Sequence, residues 1–211
     1  QRVALARALA TQPRLLLLDE PLAALDATAR AQTRRELRRH LASYDGVRVL
    51  VTHDPVEALA LGDRIVVLEG GRVVQSGTPA EVRARPRSRY VADLVGVNLL
   101  RGHASGNDVT LATGSRLTAA ERPPGPGEVL AVIHPHAVAL HRRAPEGSPR
   151  NVWEATVEAL DFEGDRTRVQ LGGAIALVAE VTPAAVRELA LEAGSPVWAS
   201  VKATEVSVYP A

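Results

Sequence analysis

The sequence predicts an α/β domain followed by an all-β domain, and three observations lead to this prediction. Up to about Val97, short apolar strands alternate with helices, which is typical of parallel strands buried beneath crossover helices. From Asn98 onward, β-branched alternation is broken by Gly, Pro, Asn and Asp, which favours a small antiparallel barrel or sandwich. A length of 211 residues suits one or two domains. We therefore expect domains at residues 1–97 and 98–211.

The first domain is predicted to begin in the middle of a helix. Residues 1–9 have helical character without a capping residue, and the sequence contains no Met, so we expect the C-terminal part of a longer protein. Apolar periodicity then predicts strands at 15–18, 47–51 and 65–68, and helices at 30–43 and 55–61. Residues 69–71 predict a turn into a hairpin strand at 72–75. Thr78 and Glu81 have the spacing of a capping box, so a short helix is expected from Pro79.

The second domain is predicted to be built from strands at 109–111, 129–140, 152–160, 166–171, 175–181 and 197–209. Residues 121–127 are expected to form a loop, and residues 142–149 a linker between two sections of the domain. No internal repeat is evident in the sequence.

Composition excludes several classes of function. The 25 Lys and Arg residues nearly balance the 24 Asp and Glu residues, so the net charge of +1 does not favour a nucleic-acid partner. The absence of Cys excludes disulfides, thiolate zinc sites and a cysteine nucleophile. No apolar run approaches the roughly 20 residues that span a bilayer, so any membrane role is expected to come through a partner. Lysine occurs once, at Lys202, so no lysine-bearing phosphate loop lies in this chain.

An acid pair follows the first predicted strand. The run from Leu15 to Leu18 delivers Asp19 and Glu20 to its carboxyl end, which is the edge where α/β folds bind ligands. Neighbouring strand residues point to opposite sides, so the two acids are expected to have different roles. One carboxylate would hold Mg²⁺, and the other would orient and deprotonate an attacking water.

Three further segments follow in a characteristic order. Ala23 to Asp26 lies just after the acid pair, and after one more helix and strand comes Thr52-His53. Together with the opening helix, this series resembles the ATP-binding-cassette (ABC) ATPases, of P-loop NTPase type. The resemblance covers the helix after the signature motif, the Walker B strand, the D-loop and the switch histidine.

The resemblance implies a role for each matching residue. Asp19 corresponds to the aspartate that supports Mg²⁺, Glu20 to the general base, His53 to the histidine that contacts the γ-phosphate of ATP, and Asp26 to the D-loop aspartate at the interface of two ATPase subunits. Ala23 stands where the family often has serine. The phosphate loop, Q-loop and signature pentapeptide do not occur in these residues, so the chain alone is not expected to hydrolyse ATP.

The β domain carries a second resemblance. Residues 148–151, 180–183, 189–197 and 201–206 are similar to the TOBE domain of importer ATPases and to the OB-like molbindin fold, which binds molybdate. This similarity implies an ATPase subunit of a molybdate importer, with tetrahedral oxyanions, molybdate or tungstate first, as the substrate class and molybdate as a regulatory ligand. The implied assembly is a homodimer on the cytoplasmic face of transmembrane permease subunits, coupled indirectly to a substrate-binding protein.

Four polar residues are candidates for the oxyanion site. Lys202 and Thr204 have the i, i+2 spacing of one strand face, and Ser148 and Arg150 have the same spacing. Cations with hydroxyl donors suit a divalent oxyanion, although an ordinary exposed strand would look the same. Two alternatives stay open: an ATPase for sulfate, iron(III), polyamine or sugar import, or a cytoplasmic oxyanion-binding module. His134, His136 and His141 lack an acidic partner and are not expected to bind a metal.

Overall fold

The computed structural model describes residues 2–10, 13–123 and 125–211. The chain divides into two compact units, the first ending at Ala84 and the second extending from Arg85 to Ala211. In the described part of the chain, no helix combines the length and apolar character needed to cross a membrane.

The first unit alternates helices and strands. Its elements are α1 (Arg2–Ala10), β1 (Leu15–Asp19), α2 (Ala27–Ala42), β2 (Val47–Val51), α3 (Pro55–Leu61), β3 (Ile65–Glu69), β4 (Arg72–Gly77) and α4 (Pro79–Ala84). β1 and β2 pair in parallel, with Leu15 opposite Val47 and Asp19 opposite Val51. One face of this pair is buried through a cluster of leucines: Leu16, Leu18, Leu22, Leu37 and Leu41. The predicted α/β architecture is thus present.

Two features of the first unit differ from the expectation of buried parallel strands. The second face of β1 and β2 is exposed, and Leu17 and Val47 show 67% and 64% of their surface. β3 does not join the parallel pair but forms an antiparallel hairpin with β4. The two-residue turn between them requires positive φ at both positions, and Gly70 and Gly71 supply it with φ of 56° and 75°. The predicted hairpin and the Thr78–Glu81 capping box are both formed.

The second unit consists of two five-stranded antiparallel sheets and two short helices. Its elements are α5 (Arg89–Val95), β5 (Asn98–Ser105), β6 (Asp108–Leu111), β7 (Arg116–Thr118), β8 (Gly127–Ile133), β9 (Ala139–His141), β10 (Asn151–Glu163), β11 (Arg166–Gly173), β12 (Leu177–Val181), α6 (Pro183–Glu188), β13 (Pro196–Val201) and β14 (Ser207–Pro210). One sheet has the order β14-β8-β5-β6-β7 and the other β12-β11-β10-β13-β9. One buried cluster draws on both sheets, for example Val109, Ile133, Val157 and Ala199. This arrangement agrees with the predicted β domain.

Two predicted strands are wrong as continuous elements. Residues 129–140 are broken by a 3₁₀ turn at Pro135–Ala137, and residues 197–209 by another at Ala203–Glu205. The reason is that the chain changes sheets at both places: β8 and β14 lie in one sheet, and β9 and β13 lie in the other. β5, β7, α5 and α6 were not predicted.

The boundary between the two compact units lies between Ala84 and Arg85, before the change in composition after residue 97. α5 belongs with the β unit, because Ala92 and Val97 pack in a buried cluster with Leu130, Val132 and Tyr209. The Tyr209 hydroxyl also donates to the Pro86 carbonyl at 2.5 Å. The β-rich composition begins only after this helix, which is why the sequence placed the boundary after residue 97.

Candidate functional site

The acid pair and the histidine meet at the carboxyl ends of β1 and β2. The Glu20 Oε1 atom accepts a hydrogen bond from the His53 backbone N–H at 2.9 Å and lies 2.6 Å from Nδ1 of the same residue. Because β1 and β2 are parallel and paired to their last residues, Glu20 and His53 leave adjacent strands on one edge. The order of motifs in the sequence is therefore matched by contact in the structure.

Glu20 has an unusual backbone conformation. Its φ of 44° lies in the left-handed region, which is uncommon for a residue other than glycine and is enriched at functional sites. The Glu20 N–H donates to the Val51 carbonyl at 2.9 Å, and this bond helps to hold the conformation. Asp19 is the last residue of β1 and its side chain is exposed, on the same strand face as Leu15 and Leu17. The two acids thus differ in environment, but not through strand alternation as predicted, because Glu20 lies outside β1 in the left-handed region.

The Glu20 carboxylate raises the pKa of His53. The hydrogen bond to Glu20 is the largest cause and the negative charge of Glu20 is the second. Burial opposes them, and Asp54 and Glu57 each raise the pKa by less than burial lowers it. With Nδ1 directed at Glu20, the charged imidazolium has Nε2–H available as a second donor. His53 is mostly exposed, with 79% of its side-chain surface accessible.

The buried carboxylate of Glu57, which the sequence analysis did not identify, supports the loop at residues 52–54 that carries His53. Glu57 is only 2% exposed, and its Oε2 accepts a hydrogen bond from the Thr52 hydroxyl at 2.9 Å. The Thr52 hydroxyl oxygen in turn accepts the Asp54 N–H at 3.1 Å. Asp54 caps α3 by accepting the N–H groups of Val56 and Glu57. The available signal was the Asp54 cap followed three residues later by Glu57.

Asp26 serves as the N-cap of α2. Its Oδ1 accepts the N–H groups of Thr28 at 3.1 Å and Ala29 at 3.0 Å. The segment before it is braced by Arg30, whose guanidinium donates to the carbonyls of Leu25 at 3.0 Å and Ala23 at 3.4 Å. The N–H of Ala29 is the main cause that lowers the pKa of Asp26. The D-loop role of Asp26 stays a prediction.

The four oxyanion candidates occupy exposed loop and turn positions. Ser148 and Arg150 lie in the loop before β10, and Lys202 and Thr204 lie at the 3₁₀ turn after β13. The predicted shared strand faces are therefore wrong, because neither pair lies in a strand. Pairing nevertheless brings the two segments together: Asn151, next to Arg150, is the strand partner of Val201, next to Lys202.

The Asn151 side chain holds the segment at Arg150 and the segment at Lys202 in place. It is 3% exposed, and its side-chain Nδ2 donates to the carbonyls of Thr118 at 2.9 Å and Val201 at 3.2 Å. Its Oδ1 accepts the Thr118 N–H at 2.6 Å. The Ala120 N–H donates to the Ala203 carbonyl at 2.9 Å and holds the turn from the other side. The backbone around Arg150 and Lys202 is thus fixed although their side chains are exposed.

Three histidines of the second unit, His134, His136 and His141, are exposed or half-exposed. His134 precedes the 3₁₀ turn Pro135–Ala137 and His136 lies within it, so the two residues are not on a strand as expected. Their rings stack with centroids 5.2 Å apart. His141 Nε2 lies 2.9 Å from the Ser200 hydroxyl. Within the described ranges, no group of three or more His, Asp or Glu side chains is arranged to hold a metal ion.

Comparison with known proteins finds relatives along the whole chain. The TOBE domain model matches residues 147–208, which include all four oxyanion candidates. Over its full length the chain is 44% identical to the molybdenum import ATP-binding protein ModC of Mycobacterium tuberculosis. The chain is therefore similar along its whole length to import ATP-binding proteins. It is also 40% identical to the sulfate/thiosulfate import ATP-binding protein CysA 2 of Chromobacterium violaceum and 36% identical to the molybdate/tungstate import ATP-binding protein WtpC of Pyrococcus horikoshii, each over its full length.

The chain spans only part of these relatives, covering 59% of ModC, 58% of CysA 2 and 61% of WtpC. Among solved structures, the cytoplasmic molybdate-binding protein ModG with molybdate bound is 26% identical, with a TM-score of 0.47 over 54% of this chain and 96% of ModG.

Proposed function

We propose that this chain is the C-terminal part of the ATP-hydrolysing subunit of an importer, and that the importer's cargo is molybdate or a related oxyanion. The contact between Glu20 and His53 at the ends of paired parallel strands carries the ATPase part of the proposal. The similarity to ModC and the TOBE match around Ser148, Arg150, Lys202 and Thr204 support the choice of oxyanion.

The Glu20 carboxylate is suited to activate the attacking water, and the His53 imidazole is suited to bind a phosphate oxygen of ATP. The Glu20 carboxylate is about one-third exposed, so an attacking water can reach it and lose a proton to it. His53 donates through Nδ1–H to Glu20, which leaves Nε2–H to bond a phosphate oxygen of ATP. The raised pKa of His53 favours the form that donates from both nitrogens.

Asp19 is the residue that fits Mg²⁺. It is an exposed carboxylate at the same strand ends, and Mg²⁺ is commonly bound through one or two carboxylates, waters and substrate phosphates. When bound, Mg²⁺ would neutralise charge on the β- and γ-phosphates of ATP. Asp26 is proposed to act at the contact between two ATPase subunits, with Arg30 and the helix cap fixing its backbone.

The proposed assembly is a homodimer bound to transmembrane permease subunits on the cytoplasmic face of the membrane, with a substrate-binding protein as an indirect partner. Sulfate is the second candidate cargo, because CysA 2 of Chromobacterium violaceum is 40% identical over the whole chain. Iron(III), polyamine and sugar remain alternatives, as does a role as a cytoplasmic oxyanion-binding module.

ATP turnover by the full-length protein that contains this chain tests the catalytic part. We expect Glu20→Gln to lower kcat about 100- to 1000-fold while nucleotide binding is retained, because the amide keeps the size of the side chain but removes the base. Glu163→Gln is the control, since it changes an exposed carboxylate at the C-terminal end of β10, in the second unit. Turnover unchanged in Glu20→Gln would contradict the proposed role of this carboxylate.

Fluorescence of the purified chain tests the oxyanion part. Trp153 and Trp198 are the two tryptophans, and they lie near Arg150 and Lys202 in sequence. We expect a saturable change with molybdate that exceeds the change with sulfate and that Lys202→Ala abolishes. If neither anion changes the fluorescence or binds by equilibrium dialysis to the folded chain, the oxyanion part of the proposal is wrong and the ATPase part is unaffected.

A further inference from the structure

The loop at residues 52–54, which carries His53, is bonded to two carboxylates. Glu20 accepts the His53 backbone N–H at 2.9 Å and lies 2.6 Å from the ring Nδ1 atom. Glu57 of α3 accepts the Thr52 hydroxyl at 2.9 Å. The first carboxylate therefore bonds the histidine itself, and the second bonds the residue directly before it.

The hydrogen bonds around Thr52 run in one direction. An ionised carboxylate accepts hydrogen bonds and donates none, so the single hydroxyl proton of Thr52 is directed at Glu57. The hydroxyl oxygen is then left as an acceptor, and it accepts the Asp54 N–H at 3.1 Å. Asp54 in turn accepts the N–H groups of Val56 and Glu57 at 2.7 and 3.3 Å, at the start of α3. These bonds form a closed ring between the loop and the first turn of the helix.

This ring restricts the backbone on both sides of His53. The residue before it is tied to Glu57, and the residue after it is tied to Thr52 and to the helix cap. The backbone N–H and the Nδ1 atom of His53 reach the same Glu20 oxygen, which requires one orientation of the backbone together with one ring rotamer. The ring of bonds supplies the backbone orientation, and Glu20 then holds the imidazole.

Glu57 occupies a position where a carboxylate is costly. Its residue is 2% exposed, and it takes part in none of the ion pairs formed among the described residues. Burial of a carboxylate without a cationic partner costs free energy, and an apolar side chain of similar volume is often neutral or stabilising instead. Stability alone therefore does not favour a carboxylate here. Its hydrogen bond to Thr52 gives it a different purpose, at the loop that carries the histidine.

We infer that Glu57 is a positioning residue for His53: through the Thr52 hydroxyl, it holds the loop in the conformation in which one Glu20 oxygen meets both the backbone N–H and the ring of the histidine. The inference rests on the proposed ATPase function and adds a residue to its machinery. Glu57 is buried and acts through Thr52, so it is not assigned a contact with ATP. Its loss displaces the imidazole whose Nε2–H is proposed to bond a phosphate oxygen.

An NMR titration of the histidine rings in the purified chain tests the geometry without nucleotide. Thr52→Val keeps the shape of the side chain and changes no charge, but it removes the hydroxyl. We expect the pKa of His53 to fall below its wild-type value in this variant, because the hydrogen bond to Glu20 that raises the pKa is weakened. Thr52→Ser is the matched control: it keeps the hydroxyl and should keep the wild-type pKa. Circular dichroism verifies that both variants are folded.

ATP turnover by the full-length protein that contains this chain tests the consequence. We expect Thr52→Val and Glu57→Met each to lower kcat about 10- to 100-fold and to change the KM for ATP by less than about twofold, because a displaced group affects the chemical step more than binding. Thr52→Ser should keep the wild-type kcat. The double variant should lose no more than either single variant, because both changes remove the same bond.

Urea unfolding separates positioning from a structural role. Glu57→Met replaces an unpaired buried carboxylate by an apolar side chain of similar size, so we expect a free energy of unfolding equal to that of the wild type or higher. Lower kcat with undiminished stability is the signature of a positioning residue. A loss of stability in Glu57→Met together with wild-type kcat in Thr52→Val would assign the carboxylate to the fold and overturn the inference.

The remaining outcomes distinguish this inference from the proposed function. Wild-type kcat and an unchanged His53 pKa in Thr52→Val, with turnover lost in Glu20→Gln, would overturn the inference and leave the ATPase function in place. Turnover unchanged in Glu20→Gln would overturn the proposed catalytic role of that carboxylate and, with it, the role of Glu57 in the reaction.

Discussion

His53 and Glu20 are joined twice: one carboxylate oxygen of Glu20 accepts the His53 backbone N–H at 2.9 Å and lies 2.6 Å from its ring Nδ1. The two residues are 33 positions apart in the sequence. Their contact depends on the parallel register that places Asp19 opposite Val51. A change in Glu20 must therefore alter the protonation of His53.

The first prediction concerns the pKa of His53. Glu20→Gln removes both the charged hydrogen-bond acceptor and the negative charge that raise this pKa, so we expect the pKa to fall toward its ordinary value of 6.5. The measurement is an NMR titration of the histidine ring signals in the purified chain. Asp19→Asn is the matched control, because it neutralises the neighbouring carboxylate and Asp19 is not among the causes of the shift. Equal shifts in the two variants would contradict the account.

The second prediction concerns Asn151. Asn151→Ala removes three hydrogen bonds and leaves groups of half-buried Thr118 and buried Val201 without these partners, so the free energy of unfolding should fall by about 3 kcal/mol. Asn98→Ala removes two bonds and should cost about 2 kcal/mol. Urea unfolding monitored by tryptophan fluorescence measures both. Thr156→Ala, at an exposed position of the same strand as Asn151, should cost about 0.5 kcal/mol or less. A loss in Asn151→Ala no larger than in this control would refute the structural role.

The third prediction concerns Tyr209. Its hydroxyl donates to the Pro86 carbonyl, and burial raises the pKa of the phenol well above its ordinary value of 10.0. Tyr209→Phe should lower the free energy of unfolding by about 1–2 kcal/mol, because the buried Pro86 carbonyl loses its donor. The same variant should leave the phenolate absorbance of the folded protein unchanged at about pH 11, since Tyr209 is not yet ionised there. A drop in that absorbance, with the fold intact by circular dichroism, would show that the phenol is not protected.

The fourth prediction concerns stability in acid. Backbone N–H groups, that of Ala29 first, lower the pKa of Asp26, so folding favours the ionised carboxylate. This stabilisation is complete above the ordinary pKa of 3.8 and is lost as the pH falls through the lower pKa of the folded state. Asp26→Asn keeps the capping oxygen without a charge. We therefore expect the variant to melt at a lower temperature than the wild type at pH about 7, and to show a smaller acid-induced decrease, so that the two proteins converge in acid. Identical pH profiles for both proteins would contradict this cause of the shift.

Local signals explain which elements the sequence predicts well. Helix α3 and strand β2 have the predicted bounds, because Asp54, Pro55 and the β-branched run at 47–51 act on their immediate neighbours. The capping box at Thr78 and Glu81 and the hairpin turn at Gly70 and Gly71 are local in the same way. The acid pair and the histidine were likewise identified from motif order, and parallel pairing brings Glu20 and His53 into contact.

Long-range pairing explains what the sequence did not predict. The breaks after Ile133 and Val201 arise because β9 pairs with β13 and β14 pairs with β8, roughly 60 to 80 residues away, and no local pattern records such partners. Glu57 was missed because a carboxylate three residues into a helix is usually solvated, whereas here Thr52 bonds it in a buried site.

Uptake of radiolabelled molybdate tests the central claim most directly. Cells that lack the chromosomal copy of the full-length protein would be complemented with the wild type, Glu20→Gln or Glu163→Gln. We predict that the wild type and Glu163→Gln restore molybdate uptake, that Glu20→Gln does not, and that sulfate uptake is unchanged throughout. Restoration by Glu20→Gln equal to that by the wild type would contradict the catalytic assignment, and restoration of sulfate uptake in place of molybdate uptake would contradict the cargo.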